Sequence, residues 1–89
     1  MKNYYSTIND VCLNFSNIRV NENGFETILA RFERPGKSGF DYSEWKLPCI
    51  CSMKAFGFSE DEIMQQERYL RNNAPLMWDI AREEMVHSA

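Results

Sequence analysis

The clearest hydrophobic pattern lies at the C-terminal end of the chain. Ile63, Met64, Glu67 and Leu70 recur at helical spacing, with Ala74 one turn on, and form a mostly apolar stripe. Ser59-Glu60-Asp61-Glu62 ahead of it has the form of a capping box, and Phe58 with Ile63 makes a hydrophobic staple. Asn72-Asn73 followed by Pro75 reads as a helix stop, because proline disfavours helical geometry in the residue before it. A second helix is then expected through Leu76, Met77, Ile80, Ala81 and Met85. Residues 59–89 are thus expected to form a helical hairpin.

Upstream the period changes to two. From Trp45 to Phe56, Trp45, Leu47, Cys49, Cys51, Met53 and Ala55 share one side. Glu44, Lys46, Ile50, Ser52 and Lys54 share the other, so this reads as one strand with Pro48 weakening its start. Phe25 to Arg34 alternates likewise, with Ile28, Ala30 and Phe32 inward. Asn23-Gly24 marks a hairpin before that strand. A three-residue loop, Glu22-Asn23-Gly24, pairs Ile18 with Ile28 and keeps polar side chains off the core side. Residues 34–41 read as a flexible loop by composition. Residues 7–15 fit a short helix or a strand, with the helix slightly preferred.

The expected fold is therefore α+β, in one domain spanning residues 1–89. It is a three-stranded antiparallel sheet with a C-terminal helical hairpin on one face and a short N-terminal helix, in the order αβββαα. The alternative is βββαα with a long, bent first strand. The size of the chain, 89 residues, suits one domain with a modest core.

Charge adds a second division. The net charge is −3, but residues 1–58 carry seven basic and six acidic side chains, whereas residues 59–89 carry three and seven. No apolar run approaches a membrane span, and Met1 to Asp10 lacks the hydrophobic stretch of a signal peptide. Three cysteines, Cys12, Cys49 and Cys51, are an odd number, and two of them lie too close in an extended strand to bridge easily. A reducing, cytoplasmic setting with no membrane association is the simplest expectation.

Candidate chemistry is sparse. Gly36-Lys37-Ser38 lacks the upstream glycine of a phosphate loop, since Arg31 stands there. Cys12, Cys49, Cys51 and His87 supply soft ligands, but cysteines inside a strand are better read as small core hydrophobes. His87, near the chain end, has no nucleophile at a useful spacing. No catalytic residues, metal or cofactor are expected, and the chain is not expected to be an enzyme.

What remains is surface. If the helices cover one sheet face, the other presents Arg19, Leu29, Arg31, Lys46, Ile50 and Lys54 as a mixed, net basic patch, with Phe25 and Phe56 at its rim. A second candidate is an acidic helical face holding Glu60, Asp61, Glu83 and Glu84. The leading expectation is a small non-catalytic interaction domain that docks a protein partner, or a second copy of itself, on the open face. One alternative is an acidic inhibitor of a nucleic-acid enzyme. Another is a binder of single-stranded nucleic acid through the basic face, which the overall acidity disfavours. In size, acidity and expected element order the chain resembles small phage and mobile-element proteins, including some anti-CRISPR inhibitors. The resemblance is one of format and assigns no residue a role.

Overall fold

The computed structural model describes residues 3–88, with side chains through residue 86. The described chain forms six strands followed by one long helix. These are β1 (Asn3–Ile8), β2 (Val11–Phe15), β3 (Arg19–Val20), β4 (Glu26–Gly36), β5 (Gly39–Leu47), β6 (Cys51–Phe56) and α1 (Glu60–Ser88). All strand pairs are antiparallel, in the order β1-β2-β4-β5-β6, with β3 on β4 beyond the end of β2. This overturns the expected three-stranded sheet with a helical hairpin.

Three local events account for the extra strands. Asn9 and Asp10 both adopt positive φ, at 51° and 66°, which closes β1 on β2 through a two-residue turn. Short polar side chains tolerate that conformation, so Asn-Asp does the work usually given to Asn-Gly. Residues 7–15 are therefore strand and turn, and there is no N-terminal helix. Lys37 and Ser38 close β4 on β5, with Gly36 opposite Gly39. Residues 34–41 are thus a hairpin tip and not a flexible loop. Pro35 lies past the last residue of β4 paired with β2, Glu33, so its missing N–H costs that ladder nothing. Finally, Pro48 divides the expected Trp45–Phe56 strand into the end of β5, a turn and β6.

The Glu22-Asn23-Gly24 loop has the expected register. Arg19 faces Thr27 and Val20 faces Glu26, and Gly24 takes φ +83°. Asn21 ties the loop internally, its Oδ1 accepting from the Asn23 and Phe25 amides.

The helix lies over one side of the sheet. Leu13, Phe15, Ile28, Ala30, Phe32, Trp45 and Leu47 from the strands meet Leu70, Met77 and Ala81 from α1 in one buried core. The buried polar cluster beside Trp45 is internally satisfied. The Trp45 indole N–H donates to Ser43 Oγ at 3.0 Å, and Ser43 Oγ donates to Gln66 Oε1.

The capping box forms as expected. Glu62 N donates to Ser59 Oγ at 3.2 Å and Ser59 N donates to Glu62 Oε1 at 2.9 Å. The expected stop does not occur, and α1 runs through Pro75. Asn73 is held in helical geometry by one partner within α1 and one from β1: its Nδ2 donates to the Tyr69 carbonyl and its Oδ1 accepts from the Tyr5 hydroxyl at 2.7 Å. With Leu70, Met77 and Ala81 all buried on the same sheet, continuing the helix gains more than the lost proline hydrogen bond costs.

Candidate interaction face

The uncovered side of the sheet is read from the strand register, since paired residues share a side. Arg31 faces Glu44, Leu29 faces Lys46 and Glu33 faces Tyr42 across β4 and β5. Glu44 continues to Lys54, Lys46 to Cys51 and Tyr42 to Phe56 on β6. Arg19 joins this side through Thr27. Five expected residues, Arg19, Leu29, Arg31, Lys46 and Lys54, thus occupy one face.

Ile50 does not belong there. It lies in the turn between β5 and β6 at φ 53° and packs against the core. The Pro48 turn also resets the alternation. Ser52 faces Trp45 and Ala55 faces Ser43, on the helix side, and Met53 is the extra residue of a bulge. Cys49 and Cys51, expected in the core, are exposed and joined as a disulfide with Cα atoms 5.4 Å apart. The adjoining turn allows the bridge that a straight strand would not. Cys12 is reduced and lies on β2, with β4 and β5 between it and β6. Among the described residues no cluster of three potential metal ligands occurs, and the side chain of His87 lies outside those described.

Charges on the open face divide into two groups. Arg31 uses both of its acidic neighbours, reaching Glu33 at 3.0 Å and Glu44 at 2.8 Å, while its guanidinium stacks 4.4 Å from the Tyr42 ring centre. Tyr42 in turn stacks on Phe56 at 6.3 Å. Among the described residues Arg19, Lys46 and Lys54 make no ion pair, and with one cation in the Arg31 cluster against two carboxylates the face keeps a net positive charge. Its apolar corners are Phe25 and Phe56, which are 66% and 57% exposed.

The acidic helical face is not assembled. Glu60 and Asp61 open α1 whereas Glu83 and Glu84 lie near its far end. A continuous helix separates the two pairs by about 34 Å at 1.5 Å per residue. The expected hairpin would have folded them toward one another, and its loss removes that field.

A cluster the sequence reading passed over lies at the start of α1. Arg34 Nε donates to Asp41 at 2.8 Å, NH1 donates to Glu62, and NH2 donates to the Gly57 carbonyl at 3.1 Å. Its guanidinium also covers the Phe58 ring at 4.5 Å. The Arg34 hydrogen bond holds the Glu62 carboxyl below the usual carboxylate range, with the Ser59 amide helping. This clasp borders a cavity of about 190 Å³ lined by Ser6, Ile8, Phe32 and Tyr69. The Ser6 and Tyr69 hydroxyls there satisfy each other at 2.9 Å. A space so small, with Ser6, Tyr69, Arg34 and Glu62 already partnered, suits packing and not a ligand. Arg34 lies in the stretch that composition marks as a loop, and only its cross-strand partner Asp41 in a hairpin reading would have signalled it.

Both edge strands are blunted. β1 is bulged at Tyr5 and β6 at Met53, and β6 carries Lys54. No helix of the described chain is long and apolar enough to cross a membrane. No protein-family model, curated protein or solved structure matches this chain.

Proposed function

We propose that the protein is a small interaction domain whose open sheet face docks an acidic partner protein, and that binding rather than turnover is its role. The supporting observation is the imbalance on that face. Glu33 and Glu44 are taken up by Arg31, leaving Arg19, Lys46 and Lys54 unpaired between the exposed Phe25 and Phe56. An acidic segment with apolar side chains complements such a surface. Self-association through a sheet edge is less favoured, because each edge is interrupted by a bulge. The inhibitor reading draws little support from α1, whose acidic pairs stand at opposite ends. We place the domain in the cytoplasm, where the Cys49–Cys51 bridge is transient and not a permanent staple.

The test uses a fluorescent peptide of alternating glutamate and valine, a poly-dT oligonucleotide, and sedimentation of the protein alone. The peptide is expected to bind in a salt-dependent manner, and the combined Arg19→Glu, Lys46→Glu and Lys54→Glu variant to weaken it by roughly tenfold or more. Circular dichroism should be unchanged, since these side chains make no ion pair among the described residues. Equal peptide binding by the variant, binding of the oligonucleotide alone, or concentration-dependent dimerisation that the variant abolishes would each replace this reading.

A further inference from the structure

The turn between β5 and β6, at the margin of the docking face, carries a cysteine pair that neither the core nor that face requires. Cys49 and Cys51 are both exposed and paired. Closing so short a loop removes little chain entropy from the unfolded state, so the bridge does little as a staple. Between them Ile50 is held at φ 53°, a left-handed conformation that is an outlier for a β-branched residue. Such strain collects at functional sites. Lys46, in no ion pair among the described residues, stands directly across from Cys51. Next to Cys49 runs a groove of about 410 Å³ lined by Phe25, Thr27, Leu47 and Pro48, with Lys46 at its margin.

We propose that Cys49 and Cys51 form a reversible thiol–disulfide exchange site for a cysteine-containing peptide whose apolar flank rests in the Phe25–Pro48 groove. The peptide thiolate attacks Cys49 Sγ at the groove. A new sulfur–sulfur bond forms to Cys49 as the Cys49–Cys51 bond breaks, and Cys51 departs as a thiolate carrying the electron pair. Lys46 offsets that charge. A second peptide thiolate then attacks the peptide sulfur of the mixed disulfide, releasing a peptide disulfide and the Cys49 thiolate. The two protons given up by the peptide thiols end on Cys49 and Cys51. Two thiols are oxidised and one protein disulfide is reduced, and the reverse sequence restores the bridge. Cys49 Sγ lies 3.2 Å from the Lys46 carbonyl oxygen, which can accept from the thiol once it is reduced. In the reducing compartment proposed above such a bridge is transient, and on a binding domain it serves redox sensing.

The experiment treats the oxidised protein, in a Cys12→Ser background, with reduced glutathione or with a cysteine peptide flanked by leucine and valine. Thiols are trapped by alkylation and weighed by mass spectrometry. Both reagents should convert the pair to the dithiol, the peptide several-fold faster, with peptide disulfide as product. The Cys51→Ser variant, given the same peptide as its disulfide, should accumulate a peptide adduct at Cys49 with release of one peptide thiol. Phe25→Ser should remove most of the preference for the peptide over glutathione, and Lys46→Met should slow both reagents by roughly threefold or more. A pair that stays oxidised in excess peptide and glutathione would overturn the exchange site. So would equal rates for the folded protein and an isolated Cys-Ile-Cys peptide, a reading that holds even if Cys51→Ser fails to fold. Equal rates for peptide and glutathione would overturn the peptide substrate and its groove.

Discussion

β2 and β6 flank the central β4–β5 pair on opposite sides and show similar alternation in sequence, yet they have opposite fates. β2 buries Leu13 and Phe15 completely beneath α1, whereas all six residues of β6 are exposed. α1 reaches across to β1, where Tyr69 meets Tyr5 and Ser6, and leaves β6 outside its footprint. Alternation therefore reports which residues share a side, and burial depends on whether another element lies on that side. The covered part of the sheet provides stability, and the uncovered part offers surface for recognition.

The sharpest way to probe this contrast is truncation on each side. Trp45→Ala removes a fully buried ring and orphans part of the Ser43–Gln66 cluster, so thermal or urea unfolding should show a loss of about 3–5 kcal/mol. Met53→Ala, in the β6 bulge and 57% exposed, should stay within about 0.5 kcal/mol of the parent. Comparable losses at the two positions would mean that β6 is covered after all.

A second probe addresses the junction between β6 and the helix. Gly57 takes φ +86°, and a Cβ there would lie within 3 Å of three Asp41 side-chain atoms. Gly57→Ala should cost roughly 2–3 kcal/mol in a denaturant titration, through backbone strain and displacement of the Asp41 partner of Arg34. A neutral result would show that β6 and α1 are not held at this junction.

Pro75 then tests the continuity of the helix. In an unbroken helix, Pro75→Ala restores a backbone donor and should raise stability by roughly 1–2 kcal/mol, with added helical signal in circular dichroism. A destabilised variant would restore the hairpin that the sequence suggests.

A smaller effect still concerns the Arg34 clasp. Because Glu62 titrates below its ordinary value of 4.5, its contribution is complete above that pH and is lost as the pH falls through the depressed folded value. Glu62→Gln should thus be destabilised near neutrality by no more than about 1 kcal/mol after solvent screening, and should match the parent at strongly acidic pH. A difference that persists unchanged into acid would assign the effect to packing and not to charge.

What could be read from the sequence follows the range of the interaction involved. The Ser59 cap, the Phe58–Ile63 staple, the Gly24 turn and the inward set Ile28, Ala30 and Phe32 all depend on neighbours within a few residues or on one strand's own period. So did the grouping of Arg19, Leu29 and Arg31 on a common side. Two hairpins were missed because their turns, Asn9-Asp10 and Lys37-Ser38, lack the Asn-Gly signature, residues 7–15 fit a helix equally well, and residues 34–41 have the composition of a loop. The exposed cysteine pair was missed because Pro48 resets the alternation on which its inward reading rested.

By itself, then, the sequence determined the caps, the turn at Gly24, the mixture of strand and helix periods, and the side on which the central strand's cations lie. Only the tertiary structure decided that α1 crosses Pro75, that its acidic ends stay far apart, and that β6 is left uncovered. A proline's local preference is worth a few kcal/mol, and burying Leu70, Met77 and Ala81 on one continuous sheet outweighs it. That sum runs over contacts from distant parts of the chain, which no local pattern records.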